Sequence, residues 1–268
     1  MKKRNLFIII FYTIIGCQDV IDVEVPSESP RLSIDALIRI TDITQPFAQI
    51  QVQASRTSSF FEDIKPAQLS AIFITNEDSG ESLSLLSATG NGKYTGVWAM
   101  QQLTQGKLKL TIEYEGQTYV ARTQFVASVP IDTLVQGDAT LFEGTETEVL
   151  VTFKDTPDRT DFYLFDFDFD EYLVSEDTFY KGQSFQFSYF YDDKVKPGIR
   201  INVALLGVDE PFYNYMNQLI LQSNGDQGPF QIPVATVKGN IINSTSVDDF
   251  ALGYFAVSQT FTRSLTLE

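Results

Sequence analysis

The sequence predicts an all-β protein of two immunoglobulin-like β-sandwich domains in tandem, with one short helix in the second. Three observations predict it. After residue 31, apolar residues alternate with other residues along most of the chain, the period of a strand with one buried face. Turn signals rich in Gly, Asn and Asp recur between these runs. Finally, 43% hydrophobic and 13% aromatic residues in a chain of 268 are enough to bury sizeable cores.

The first element is an address, over residues 1–17. Lys2, Lys3 and Arg4 precede an apolar run from Leu6 to Ile15, and Gly16 and Cys17 follow. A basic start and a short apolar run make a secretory signal peptide. The run is shorter than the roughly 20 residues a bilayer span needs. Cys17 is the only cysteine of the chain, and its place resembles a bacterial lipobox, in which the cysteine is acylated and becomes the mature N-terminus. The positions before it depart from the usual pattern, since Ile14 and Ile15 stand where Leu and a small residue are common. Acyl chains on Cys17 would hold the protein at a membrane without a spanning helix. Residues 18–30 read as a tether, with Asp19, Asp22, Glu24 and Glu28 among apolar residues and Pro26 and Pro30 favouring extended chain.

Residues 31–129 read as the first sandwich. Leu32, Ile34, Ala36, Ile38 and Ile40 alternate, as do Ile50 with Val52 and Ile72 with Ile74. Asp78-Ser79-Gly80 and Gly90-Asn91-Gly92 mark turns. Leu108, Leu110, Ile112 and Tyr114 form another strand, and Glu115-Gly116 leads into Thr118-Tyr119-Val120-Ala121 as a hairpin. About seven short strands in some hundred residues is the immunoglobulin-like pattern.

Val129-Pro130-Ile131-Asp132 marks the boundary, and residues 130–268 read as the second sandwich. Strands are expected over 148–153, 161–172, 184–191, 198–208, 236–242 and 251–267. The run 184–191 is expected to pair with 161–172 across a turn at 176–183. A helix is predicted over 209–222, from the start signal Asp209-Glu210-Pro211 and the stripe Phe212, Tyr215, Met216, Leu219 and Ile220. Packing of that stripe against a sheet explains it.

Composition excludes several chemistries. The net charge is −16, with no histidine and one cysteine. Nucleic-acid binding lacks its clustered cations. A Ser-His-Asp triad, His-ligated zinc, Cys-His catalysis and an internal disulfide each lack a required residue. No enzyme activity is expected.

The most unusual stretch is Phe165-Asp166-Phe167-Asp168-Phe169-Asp170-Glu171. In a continuous strand the phenylalanines share one face with Tyr163, and Asp166, Asp168 and Asp170 share the other, about 6.5–7 Å apart. An antiparallel strand with one wet face explains the pattern without function. Two functional readings stay open beside it: a Ca²⁺ ion between the carboxylates, or an acid and base pair acting on a glycoside. Phe60 and Phe61 in an expected loop, together with Trp98, the only tryptophan, are the candidate contacts for a protein partner.

Four stretches in order resemble a lipoprotein family of Bacteroidota known as domain of unknown function 4249. They are Val20-Ile21-Asp22-Val23-Glu24-Val25-Pro26, then Gly90-Asn91-Gly92-Lys93-Tyr94, then Val129-Pro130-Ile131-Asp132. The last pairs Val237-Lys238-Gly239-Asn240-Ile241 with Ala251-Leu252-Gly253-Tyr254-Phe255. The resemblance spans nearly the whole chain and implies two β-rich domains behind a lipid anchor. It also implies an accessory role beside a TonB-dependent outer-membrane receptor, and it supplies no catalytic residues. The expectation is therefore a lipid-anchored outer-membrane protein that binds such a receptor or its cargo. The alternative is a free-standing surface adhesin for carbohydrate or peptide.

Overall fold

A computed structural model describes residues 29–58, 62–141, 144–192, 195–223 and 236–268. Strand alternation builds its first part. β1 (Leu32–Ile40) buries its even-numbered residues and turns Asp35 and Arg39 outward. β2 (Phe47–Arg56) does the same, with Ile50, Val52 and Ala54 inward and Gln49 and Gln51 outward. Six further strands follow: β3 (Lys65–Pro66), β4 (Ala71–Asn76), β5 (Ser82–Ser84), β6 (Lys93–Ala99), β7 (Lys107–Tyr114) and β8 (Gln117–Val126). β2 pairs with β1, β3 and β6, while β4 pairs with β5 and β7, and β7 with β8. The inward faces of both groups meet in one apolar core, which includes Ile34, Ile50, Ile74, Leu110 and Trp98.

A second core lies beyond residue 129. β9 (Ile131–Gln136), β10 (Thr147–Lys154) and β13 (Ser184–Tyr191) form a three-stranded sheet with β10 in the middle. Facing it are β11 (Phe162–Asp166), β12 (Tyr172–Glu176) and β14 (Arg200–Val208). Aromatic rings fill the space between. Phe165 meets Phe187 edge-on with centroids 5.1 Å apart, and Phe167 stacks on Tyr189 at 3.7 Å. Such pairs contribute about 0.5–1.5 kcal/mol each beyond the area they bury.

The two cores are not simply consecutive. The last strand, β16 (Leu252–Thr266), runs through both. Its first half lies parallel to β1, from Ser33↔Leu252 to Ile40↔Gln259. Its second half lies antiparallel to β14, from Leu206↔Thr260 to Arg200↔Thr266. Ile241, Ala251, Phe255 and Val257 therefore belong to the first core, not to a unit made only of residues 130–268. The short β15 (Ile242–Asn243) likewise pairs with β8, where the sequence predicts a strand over 236–242. The reason is close packing of the chain's end. Gly253 takes φ +99, and a Cβ there would sit 1.8 Å from the Ile34 carbonyl oxygen. Gly239 presses on Gly253 in turn, its missing Cβ 1.6 Å from the Gly253 oxygen. Asn240 then fixes the pair, donating to the Phe255 carbonyl and accepting from its N–H, each at 2.8 Å.

The helices and hairpins add further differences. The predicted helix forms as Glu210–Ser223, α2 below. Asp209 caps it, accepting from the Phe212 N–H at 2.8 Å. Its apolar stripe covers the outer face of the sheet, with Phe212 and Tyr215 against Tyr254 at 4.8 and 5.1 Å. A five-residue helix at Met100–Thr104, α1, is an addition to the predicted elements; it buries Met100 and Leu103. The expected hairpin of 184–191 with 161–172 is replaced. β11 turns back on β12 instead, and β13 crosses to pair with β10 in the facing sheet.

Candidate functional site

The acidic run does not form one strand. β11 ends at Asp166, and Asp168, Phe169 and Asp170 all take positive φ, at 64, 53 and 62°. Three left-handed residues in succession make a tight turn, closed by bonds from Phe167 N–H to the Glu171 oxygen and from Glu171 N–H to the Asp168 oxygen, both 2.9 Å. Aspartate tolerates this region better than most residues because its short side chain bonds locally. The three carboxylates then part. Asp166 accepts from the Arg39 guanidinium at 2.6 Å and from the Asp168 N–H at 3.1 Å. Asp168 accepts from the Asn202 backbone at 2.6 Å and its amide at 3.1 Å. Asp170 is exposed. The common carboxylate face on which both the Ca²⁺ and the acid–base readings rest is therefore absent, because the strand ends before Asp168.

Another acidic group is closer knit. Asp155, Asp161 and Asp177 are all buried, with one oxygen of each within 4.8 Å of the others. Sequence reading missed it, since the three residues sit at the ends of different strands, 6 and 16 residues apart, and no spacing pattern links them. The protein supplies their partners. Tyr163 donates to Asp155 at 2.6 Å and to Asp161 at 3.1 Å, and the Gly182 N–H donates to Asp155 at 2.7 Å. Asp177 accepts from the Asp161 N–H at 2.9 Å, and Arg159 pairs with Asp161 at 2.6 Å. Burial first, then the adjoining carboxylates, pushes the Tyr163 phenol well above its ordinary value, so it stays a donor. These oxygens are of the kind hard divalent cations take, but the donors named above already tie the β10 end to the β11 and β12 strands.

The sheet surface offers a different kind of place. β1 and β2 form a hairpin, yet they pair only from Leu32↔Arg56 to Asp35↔Gln53. Beyond that, β1 follows β16 and β2 follows β6. The strands diverge and leave an opening of 310 Å³ lined by Asp35, Leu37, Ile38, Arg39 and Gln49, Gln51 and Gln53. Asp35, Leu37 and Arg39 also line a second cavity of 260 Å³ that continues under α2, where Tyr172, Tyr215 and Leu219 form its wall. Together they make one trough across the outer face. Burial, with the Asp35 charge, raises the Tyr215 phenol; burial and Asp166 raise Tyr172, which Arg39 partly offsets. Both rings are neutral donors at pH 7. The sequence hint was there, in Gln49-x-Gln51-x-Gln53, but the divergence of the strands that gives it depth is a long-range feature.

The remaining sequence candidates fall elsewhere. Trp98 is 7% exposed and packs in the first core, so it is no surface contact. Cys17 and the pair Phe60 and Phe61 lie outside the described residues. Among the described residues, no helix is long and apolar enough to cross a membrane.

No curated protein matches the chain. Among solved structures, one similar chain is described by the words "Structural insight into host cell surface retention of a 1.5-MDa bacterial ice-binding adhesin". It is 10% identical, has a TM-score of 0.21, and covers 90% of this chain. The chain spans 65% of the length of that one. The family comparison is broader: residues 18–264 match the family described as "Domain of unknown function (DUF4249)". With the match running from just after Cys17 through almost all of β16, the chain belongs to the DUF4249 family.

Proposed function

We propose that this protein is a lipid-anchored binding protein of the outer membrane that serves a TonB-dependent transporter or its cargo. The observation that carries the binding half is the trough between Gln49, Gln51 and the Tyr172 and Tyr215 rings, held open on strands that two cores fix. Anchoring is supported by the order of Lys2 to Arg4, the apolar run and Cys17, and by the resemblance to a lipoprotein family of Bacteroidota. The reading contains no catalytic step. Asp168 and Asp170, the pair that a glycosidase mechanism would use, sit on a turn with Asp168 committed to Asn202.

Anchoring raises the local concentration of a partner, so weak contacts through loops and the trough suffice. The trough also favours a second reading, a free-standing adhesin for carbohydrate or peptide. Crosslinking of intact cells separates the two. Recovery of an outer-membrane receptor with the wild-type protein, lost with Cys17→Ser, is the expected result. Recovery of the protein without any outer-membrane partner contradicts the transporter reading.

A further inference from the structure

We infer that the trough between β1, β2 and α2 is a binding site for a soluble, neutral oligosaccharide. The inference rests on the binding-protein reading and names the class of its cargo. Three features lead to it.

The first is shape. The opening sits between the two strands of one hairpin, past their last pair Asp35↔Gln53, with Ile38 among its lining residues. Residues 41–46 join the two strands beyond it, and the Met100 N–H donates to the Pro46 oxygen of that loop at 2.9 Å. A short closed gap does not admit an added β-strand, which needs a free edge along its length. It suits a compact unit that enters from the face, with the rest of the chain running over Leu37 toward α2.

The second is the polar lining. Gln49 and Gln51 stand on one face of β2, two residues apart, and their amides make no hydrogen bond to another described residue. Each amide offers two donors and an acceptor. Gln53 is steadied by its bond to the Asn91 oxygen at 3.1 Å, and Asp35 faces it across the ladder. Past Asp35 and Gln53 the facing edges of β1 and β2 no longer pair with each other; the Leu37 N–H turns to the Asp35 carboxylate at 3.3 Å, and the other edge groups are left for a ligand or water. Dense, mixed donors and acceptors match hydroxyl groups, each of which both donates and accepts. The Tyr172 and Tyr215 rings then supply apolar faces with polar tips for the C–H face of a sugar ring.

The third is charge. Arg39, the cation in the lining, is paired with Asp166 at 2.6 Å, and Asp35 adds a negative charge. With a net charge of −16 the whole surface repels anions. A sulfated or uronic-acid-bearing chain is therefore disfavoured, and an uncharged one is not.

The test uses the full-length protein in detergent on an array of neutral, sulfated and uronic-acid-bearing oligosaccharides, with titration of any hit. Saturable binding to a neutral chain is expected, weakened at least tenfold in the double variant Gln49→Ala/Gln51→Ala and unchanged in Glu81→Ala on an exposed turn. Both glutamine side chains are exposed and have no hydrogen-bond partner among the described residues, so melting of the double variant should match wild type. Binding that survives the double variant, or that prefers the acidic chains, overturns the inference. So does an array without hits. If receptor crosslinking in cells persists alongside an empty array, only the cargo class fails. If the double variant instead abolishes crosslinking, the trough is a protein dock. A neutral glycan bound in the trough without any crosslinked receptor would overturn the transporter reading alone.

Discussion

Gly253→Ala probes the point where the chain's end locks onto its beginning. At φ +99 an alanine is strained by about 1–3 kcal/mol. Its Cβ would also lie 1.8 Å from the Ile34 oxygen and 2.7 Å from the Ile34 carbonyl carbon. These are backbone atoms and cannot rotate away, so β1 must shift by more than an ångström. Overpacking of this kind adds about 1–3 kcal/mol, and loosening the neighbouring Ser33↔Leu252 and Ile34↔Gly253 pairs adds about 1 kcal/mol. The expected cost is about 3–7 kcal/mol. Gly198→Ala is the control, because Gly198 also has positive φ, +86, but has nothing within 4 Å of its missing Cβ. It should cost only the strain, about 1–3 kcal/mol. At about 2–4 °C per kcal/mol for a chain of this size, thermal melting should fall by roughly 10 °C or more in the first variant and by roughly half that in the second. Equal shifts in the two would refute the close approach and leave only backbone strain.

Three further outcomes follow from the same packing. Phe255→Ala, at 0% exposure in the first core, should cost about 3–5 kcal/mol; because β16 belongs to both cores, Trp98 fluorescence and the near-ultraviolet tyrosine signal of the second core should still melt together, and separate midpoints would contradict the shared strand. Tyr163→Phe removes the donor between Asp155 and Asp161 and should cost about 1–3 kcal/mol in urea titrations; an unchanged midpoint would show that the three aspartates find another donor. Hydrogen bonds from Ser188, at 2.5 Å, and from the Ala139 N–H, at 2.9 Å, hold the Glu148 carboxyl below its ordinary value of 4.5. A lowered folded value makes its stabilisation complete above that pH and lost as pH falls through the folded value, so the gap in urea midpoint between wild type and Glu148→Gln should be full at pH 7 and close below about pH 4. A gap that stays constant to pH 3 would contradict it.

Much of the β architecture was legible because it is local. The alternation of Leu32 to Ile40 and of Leu108 to Tyr114 announces strands that form as read, and Asp209-Glu210-Pro211 announces a helix whose cap is that Asp209. Two kinds of feature were hidden. The turn at Asp168-Phe169-Asp170 has neither glycine nor proline, and its Phe-Asp alternation imitates a strand while the backbone turns left-handed. The other kind is long-range. Nothing near Leu252 shows that it will lie beside Ser33, and nothing near Gln51 shows that β1 has left its side. The candidate trough and the buried aspartates both arise from such meetings. Trp98 was misplaced for a related reason: on a strand, position alone does not say which face is inward, and Trp98 shares the buried face with Tyr94.

The most direct test of a lipid-anchored binding protein is the mass of the N-terminal peptide from protein extracted out of the outer-membrane fraction. A chain that begins at Cys17 and carries acyl groups on it, with residues 1–16 removed, is the predicted result. An unmodified Cys17, or a mature start elsewhere in a chain found free of the membrane, would contradict it.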